Sequence, residues 1–215
     1  MDPAPPASHS IQALILAAGR GRRLGRTKAL MDLGDGPALR HVLDVLRQAG
    51  LKQLAVVLGP DADAVRDAVD LHDVRVARNP EPERGMSASL AAGLLALGPS
   101  AEPHTALLLH TVDHPLVTAA DVATLLEAWN TRRPGTQIVA PSVNRRRGHP
   151  TLFGPVARLE LADLADDEPP HQVVRRDPDR VQHVELTDPW ILRDVDTPED
   201  LAAARAEWAR RRERD

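Results

Sequence analysis

"LILAAGRGRRLGRTKAL", Leu14 to Leu30, begins as an apolar run of strand length. It passes directly into a turn that carries Gly19, Gly21 and Gly25 among Arg20, Arg22, Arg23, Arg26 and Lys28. Glycines at such a turn let backbone N–H groups approach an anion closely, and a strand ending this way opens a strand-turn-helix unit. The helix follows in "PALRHVLDVLRQAG" from Pro37, where Leu39, Val42, Leu43 and Leu46 recur at helical spacing and Gly50 closes the segment.

The same alternation continues outward. "QLAVVLG" from Gln53 precedes "DADAVRDAV", "VRVARN" from Val74 precedes "GMSASLAAGLLAL", and "TALLLHTVD" from Thr105 precedes "TAADVATLLEAW"; "QIVAPSV" from Gln137 is a further strand. Strands apolar on both faces, alternating with helices, predict a mostly parallel sheet covered on both sides, a three-layer α/β/α fold of Rossmann-like type. Beyond Gly148 the expected elements are "PTLF", a helix "PVARLELADL", a polar loop rich in Asp and Pro, and "VQHVELTD". The final helix starts with Thr197 as cap, Pro198 at its first position and Asp200 three residues after the cap. Residues 1–10 read as a flexible Pro-rich leader, 11–205 as a single domain, and 206–215 as a helix end with a charged tail.

Composition narrows the function. Apolar residues are 42% and charged residues 27% of 215, so the chain has the means to build one substantial core. Aromatics are 2%, with one Phe and no Tyr, which removes the stacking platforms of single-strand nucleic-acid binders. A net charge of -4 argues against a general phosphate-backbone binder, so any anion site is local. The absence of cysteine excludes thiolate catalysis and Cys-based zinc sites. The apolar run "IQALILAA" is too short to span a bilayer and has no basic segment before it, so a soluble cytoplasmic protein is expected.

Ligands of open parallel sheets bind at the carboxyl ends of the strands, and three loops carry unusual residues there. In the first, the third glycine falls one place late for G-x-G-x-x-G. Lys28, flanked by Thr27 and Ala29, does not satisfy the Gly-Lys-Ser/Thr of a P-loop. On its residues this loop is either a phosphate cradle to which Arg23 and Lys28 add charge, or a solvated basic loop. In the second, "TVDHP", Asp113 stands where the strand emerges, placed to hold Mg²⁺ or to cap a turn before Pro115. In the third, "RDVDTP", Asp194 and Asp196 either reach the same ion or serve as helix-start acids. "NPEPERGMSASL" sets Asn79, Gly85 and Ser89 around a helix start, and "NRRRGHP" sets three arginines before His149 and Pro150.

Taken in order, "LAAGRGRRLGRTKAL", "NPEPERGMSASL", "VDHPLV", "RRGHPTLF" and "DVDTPEDL" make the chain resemble the molybdenum-cofactor nucleotidyltransferases over about residues 11 to 205. The family's first motif falls on Leu16, Ala17, Ala18, Gly19, Gly21, Arg23, Gly25 and Lys28, with Leu24 in place of its Met. Ala18 and "GHPTLF" make the cytidylyltransferase branch the nearer one. The resemblance implies the nucleotide-diphospho-sugar transferase type of fold and NMP transfer from CTP to molybdopterin, with release of pyrophosphate. It implies Arg23, Lys28 and Asp113 as catalytic, and Asp113 with Asp196 or Asp194 as Mg²⁺ ligands. It further implies Leu16 to Gly19, Gly21, Lys28, Asn79, Gly85, Met86 and Ser89 at the nucleotide, and Arg147, Gly148, His149 and Pro150 at the acceptor. A molybdoenzyme that receives the product is an implied partner. The same motifs admit a GTP or sugar-phosphate enzyme, or a non-catalytic nucleotide-binding partner in cofactor insertion. Two departures stand out: His114 between Asp113 and Pro115, and "DDEPPHQVV" where cytidylyl relatives carry "GDxGAR".

Overall fold

The computed structural model describes residues 11–98, 105–165 and 168–214, so the leader and Asp166 and Asp167 of the polar loop lie outside it. Its sheet has eight strands: β1 (Ile11–Ala17), β2 (Gln53–Leu58), β3 (Val74–Arg78), β4 (Ala106–Thr111), β5 (Ile138–Val143), β6 (Arg146–Arg147), β7 (Thr151–Phe153) and β8 (Val181–Glu185). The order is β3-β2-β1-β4-β7-β5-β6, with β8 also pairing with β5. Pairs β1–β2, β1–β4, β2–β3 and β5–β8 are parallel, whereas β7 runs antiparallel to both β4 and β5. It follows that β4 and β5 point the same way, so the ends of β1, β2, β4, β5 and β8 share one edge.

The expected three layers are present because the strands bury alternate residues on opposite faces. Ile11, Ala13, Ile15 and Ala17 of β1 join one apolar cluster, while Leu14 and Leu16 join the other. The first cluster is closed by α1 (Ala38–Gln48), α2 (Ala62–Ala68), α4 (Ala119–Asn130) and α7 (Pro198–Arg212), the second by α3 (Met86–Leu97), α5 (Pro155–Ala162) and α6 (His171–Arg176). Leu39, Val42, Leu43 and Leu46 of α1 are all buried, as their spacing requires.

One feature departs from the sequence expectation. The segment read as a polar loop contains α6, a short helix whose Val173 and Val174 are buried against the second cluster. Burial of two adjacent valines stabilises a turn too short to form alone. The sheet is mostly parallel, as expected, and its antiparallel part begins where β5 turns back through Asn144 and Arg145. Both have positive φ, 51° and 63°, matching the two-residue hairpin geometry that asparagine tolerates.

Both predicted capping boxes form. Thr118 and Asp121 close the start of α4, and Thr197 and Asp200 that of α7. Among the described residues no helix is long and apolar enough to cross a membrane.

Candidate active site

Lys28 begins a single 3-10 turn, Lys28–Leu30, at the end of the glycine loop. Gly21 makes that loop possible. Its φ is +56°, and a β-carbon there would overlap the carbonyl oxygen of Arg26, so the chain closes on itself only with glycine. Leu24 N donates to Gly21 O at 2.9 Å and Lys28 N to Gly19 O at 3.4 Å, bringing the lysine back under β1. From the other side α7 clasps the following loop: Trp208 Nε1 donates to Asp35 at 3.1 Å and Arg205 to the Asp32 carbonyl at 2.7 Å.

The Lys28 ammonium donates to Asp113 Oδ2 at 2.9 Å and also to Asp196 Oδ1. The three side chains are 17%, 23% and 36% exposed, so the group is partly shielded from water. Val195 N donates to the Asp113 carbonyl at 2.8 Å, and Asp200 accepts from Asp196 N at 3.2 Å, which carries the last loop to the end of β4. Burial by itself would lower the Lys28 pKa, but the two carboxylates outweigh it and hold it above its usual value. Burial would likewise raise Asp113, yet the His114 hydrogen bond and the nearby Lys28 charge win and hold its carboxyl well below the ordinary range. Asp194 is not part of this trio; it lines a separate depression with Trp190, Arg193 and Asp200.

Arg23 is exposed on the glycine loop and does not line the cavity that holds Lys28 and Asp113. Arg20 reaches across the same mouth to Glu83 at 3.7 Å. A cavity of about 210 Å³ runs from the loop to the trio, lined by Leu16, Ala18, Gly19, Lys28, Gly85, Met86, Ser89 and Asp113. Ala17 is buried in the core rather than in this lining. Asn79 is buried, donating to Ser89 Oγ at 2.8 Å while its carbonyl accepts from Glu81 N at 3.0 Å, so it pins the start of α3. Gly85, with φ +113°, opens that helix.

A second cavity of about 380 Å³ lies under α6, with Arg147, Gly148 and His149 in its wall. Pro150 is buried and follows a cis peptide from His149. The two cavities share Met86 and Thr111. The His149 ring lies 4.4 Å from that of His114, whose Nδ1 is 3.1 Å from Asp113 Oδ1. The second cavity therefore borders the trio. Burial, followed by the charge of His114, pushes His149 down to about 4.

Sequence reasoning did not find Thr111, His171 or Arg175 as lining residues. Thr111 was hidden inside a continuous strand, and the other two belong to α6, whose valine pair was the available signal.

Gly148 holds this wall in place. A β-carbon there would overlap the Ile191 carbonyl oxygen and stand 2.8 Å from its carbon, while His149 N donates to the same oxygen at 3.0 Å. Gly148→Ala is expected to lower stability by about 1–3 kcal/mol through this backbone clash. A urea midpoint equal to that of the wild type would show that the approach is not tight.

Two cavities thus share one wall, one reaching the glycine loop, Lys28 and Asp113 and the other lying under α6. The chain belongs to the MobA-like NTP transferase domain family, whose model matches residues 13–184. It is similar to the crystal structure of Rv0371c from Mycobacterium tuberculosis H37Rv, with 33% identity, a TM-score of 0.77, and 91% of this chain and 97% of that one covered. A manganese complex of Rv0371c superposes with a TM-score of 0.73 at 32% identity, covering 91% and 97%. A nucleotidyl transferase from Methanothermobacter thermautotroptrophicus gives a TM-score of 0.76 at 26% identity, covering 93% and 98%. In sequence the chain is 29% identical over 202 residues to nicotine blue oxidoreductase of Paenarthrobacter nicotinovorans, covering 89% of this chain and 94% of that protein.

Proposed function

We propose that the protein transfers CMP from CTP to the phosphate of a small acceptor of the molybdopterin type, releasing pyrophosphate, with Mg²⁺ as cofactor and a molybdoenzyme as the destination of the product. The observation that carries this reading is the Lys28 ammonium held by two carboxylates in a cavity that shares a wall with a second one.

Asp113 and Asp196 fit a Mg²⁺ site: they are two hard oxygen donors converging on one point, and this ion takes one or two carboxylates with phosphate oxygens and water. Bound there, the ion would neutralise phosphate charge. The chain's own residues do the remainder. Backbone N–H groups from Gly19 to Gly25 receive the triphosphate, and Arg23 adds charge as the loop closes over it. Lys28 stabilises charge that builds on the α-phosphate. An acceptor phosphate oxygen, already anionic, forms the new bond to the α-phosphorus while the bond to the bridging oxygen of pyrophosphate breaks. No general base is required, so rate comes from alignment and electrostatics.

Melting curves with CTP, GTP, ATP and NAD, each with and without Mg²⁺, test the nucleotide, because a ligand that binds only the folded state stabilises it. The expected result is a Mg²⁺-dependent rise largest with CTP, followed by pyrophosphate release once molybdopterin is added. A larger rise with GTP transfers the reading to the guanylyl branch. The near full-length similarity to nicotine blue oxidoreductase favours a second reading, an oxidoreductase that uses a nicotinamide cofactor. NADH or NADPH consumption without any triphosphate shift would establish that reading in place of the first.

A further inference from the structure

We propose that the cavity under α6 is an acceptor subsite for a compact anion with an apolar body, read by Arg147 and Arg175, and that it discriminates against polyhydroxylated sugar phosphates; this rests on the transferase reading above. Its floor is Leu109, Ala140, Phe153 and Val174, and includes the one phenylalanine of the whole chain. Those four side chains offer no hydrogen-bonding group. A sugar ring pressed against them would leave hydroxyls without partners, and burial of an unpartnered hydroxyl weakens binding. An aliphatic or planar aromatic body would instead lose only its contact with water. About 380 Å³ is near the lower end of small-molecule sites, which suits a compact ligand.

The charge in its wall is positive: two of the lining side chains are exposed arginines, while the Thr111 and Thr151 hydroxyl residues are buried beside the apolar floor. Arg147 and Arg175 are exposed and, among the described residues, neither is in an ion pair. Their neighbours differ. Arg180 is bonded to Glu160, and Arg176 lies 3.7 Å from Glu160 and 3.9 Å from Glu168, so their charge is already matched. Two unmatched guanidiniums facing an apolar floor select an acid whose charged end stays at the mouth. The wall shared with the nucleotide cavity, Met86 and Thr111, joins this pocket to the one that Lys28 and Asp113 line. Arg175 is thus a specificity-determining residue of this chain, supplied by α6, which begins inside the segment that departs from the cytidylyl pattern.

Calorimetric titration of the full-length protein with 1-naphthyl phosphate, glucose 1-phosphate and inorganic phosphate tests this directly. Naphthyl phosphate should bind at least about tenfold more tightly than either of the others. Arg175→Ala should weaken it about tenfold or more, Arg175→Lys less, and Arg176→Ala little, with melting temperature and CTP-induced shift preserved in all three. Equal affinity for glucose 1-phosphate, or an Arg175→Ala variant that binds naphthyl phosphate as before, overturns the proposal even if triphosphates bind normally. Naphthyl phosphate binding in a protein that no triphosphate stabilises overturns the transferase reading while the ligand class of the pocket stands.

Discussion

Asp113→Ala is expected to cut nucleotidyl transfer by about a hundredfold or more while the protein remains folded. The reason for the first effect is position. Asp113 lies two residues beyond β4, beside the Lys28 ammonium, where α-phosphate charge would build in the proposed reaction, and loss of one preorganised electrostatic group there raises the barrier by several kcal/mol. The reason for the second is that Lys28 keeps Asp196 as a partner, so no isolated charge is left in a partly shielded site. Measured kcat for pyrophosphate release, with circular dichroism and melting temperature as controls, separates the two. A folded variant with wild-type turnover would remove Asp113 from the mechanism.

Acidification should destabilise the protein steeply below neutrality. His110 and His149 are both held below the usual histidine value, in each case first by burial and next by a neighbouring imidazole, with Asp113 opposing. Their Nδ1 atoms are buried without hydrogen-bond partners among the described residues. A histidine whose folded pKa is depressed is neutral in the fold and takes its proton only on unfolding. Its stabilising effect is complete above about 6.5, the ordinary value, and is lost as the pH falls towards about 4, the value of His149. Each such group adds a slope of about 1.4 kcal/mol per pH unit, so the pair approaches about 3 kcal/mol per unit within that window. For a chain of this size that is a fall in melting temperature of roughly 6–12 °C per pH unit. Melting curves from pH 7 to 4 on wild type and His110→Asn would measure it, the variant losing about one proton's share of the slope. Identical slopes in the two proteins would mean that His110 is protonated in the fold.

The layered fold was readable from periodicity because the signal is local. Leu39, Val42, Leu43 and Leu46 mark one face of α1 whatever surrounds them, and Thr197, Pro198 and Asp200 build their cap from neighbouring residues alone. Gly21 is similar, since its closure against Arg26 is a property of six consecutive residues. The sequence by itself therefore determined the alternation of strands and helices, the glycine loop, and a shortlist of acids at strand ends.

Tertiary structure decided which members of that shortlist meet. Lys28, Asp113 and Asp196 are separated by 85 and 168 positions in the chain counted from the lysine, and only the ordering of β1 beside β4, with Val195 bonded to the Asp113 backbone, brings them to one ammonium. Asp194 carries the same chemistry two residues away yet lines another depression, a choice made by backbone direction and not by residue type. The α6 wall is the clearest case. Its residues look like a polar loop until Val173 and Val174 are given a core to bury in, and that core is drawn from strands as far back in the chain as β1. Long-range packing turned an unpromising run into the rim of a pocket, because burial of apolar surface depends on partners that no local pattern can display.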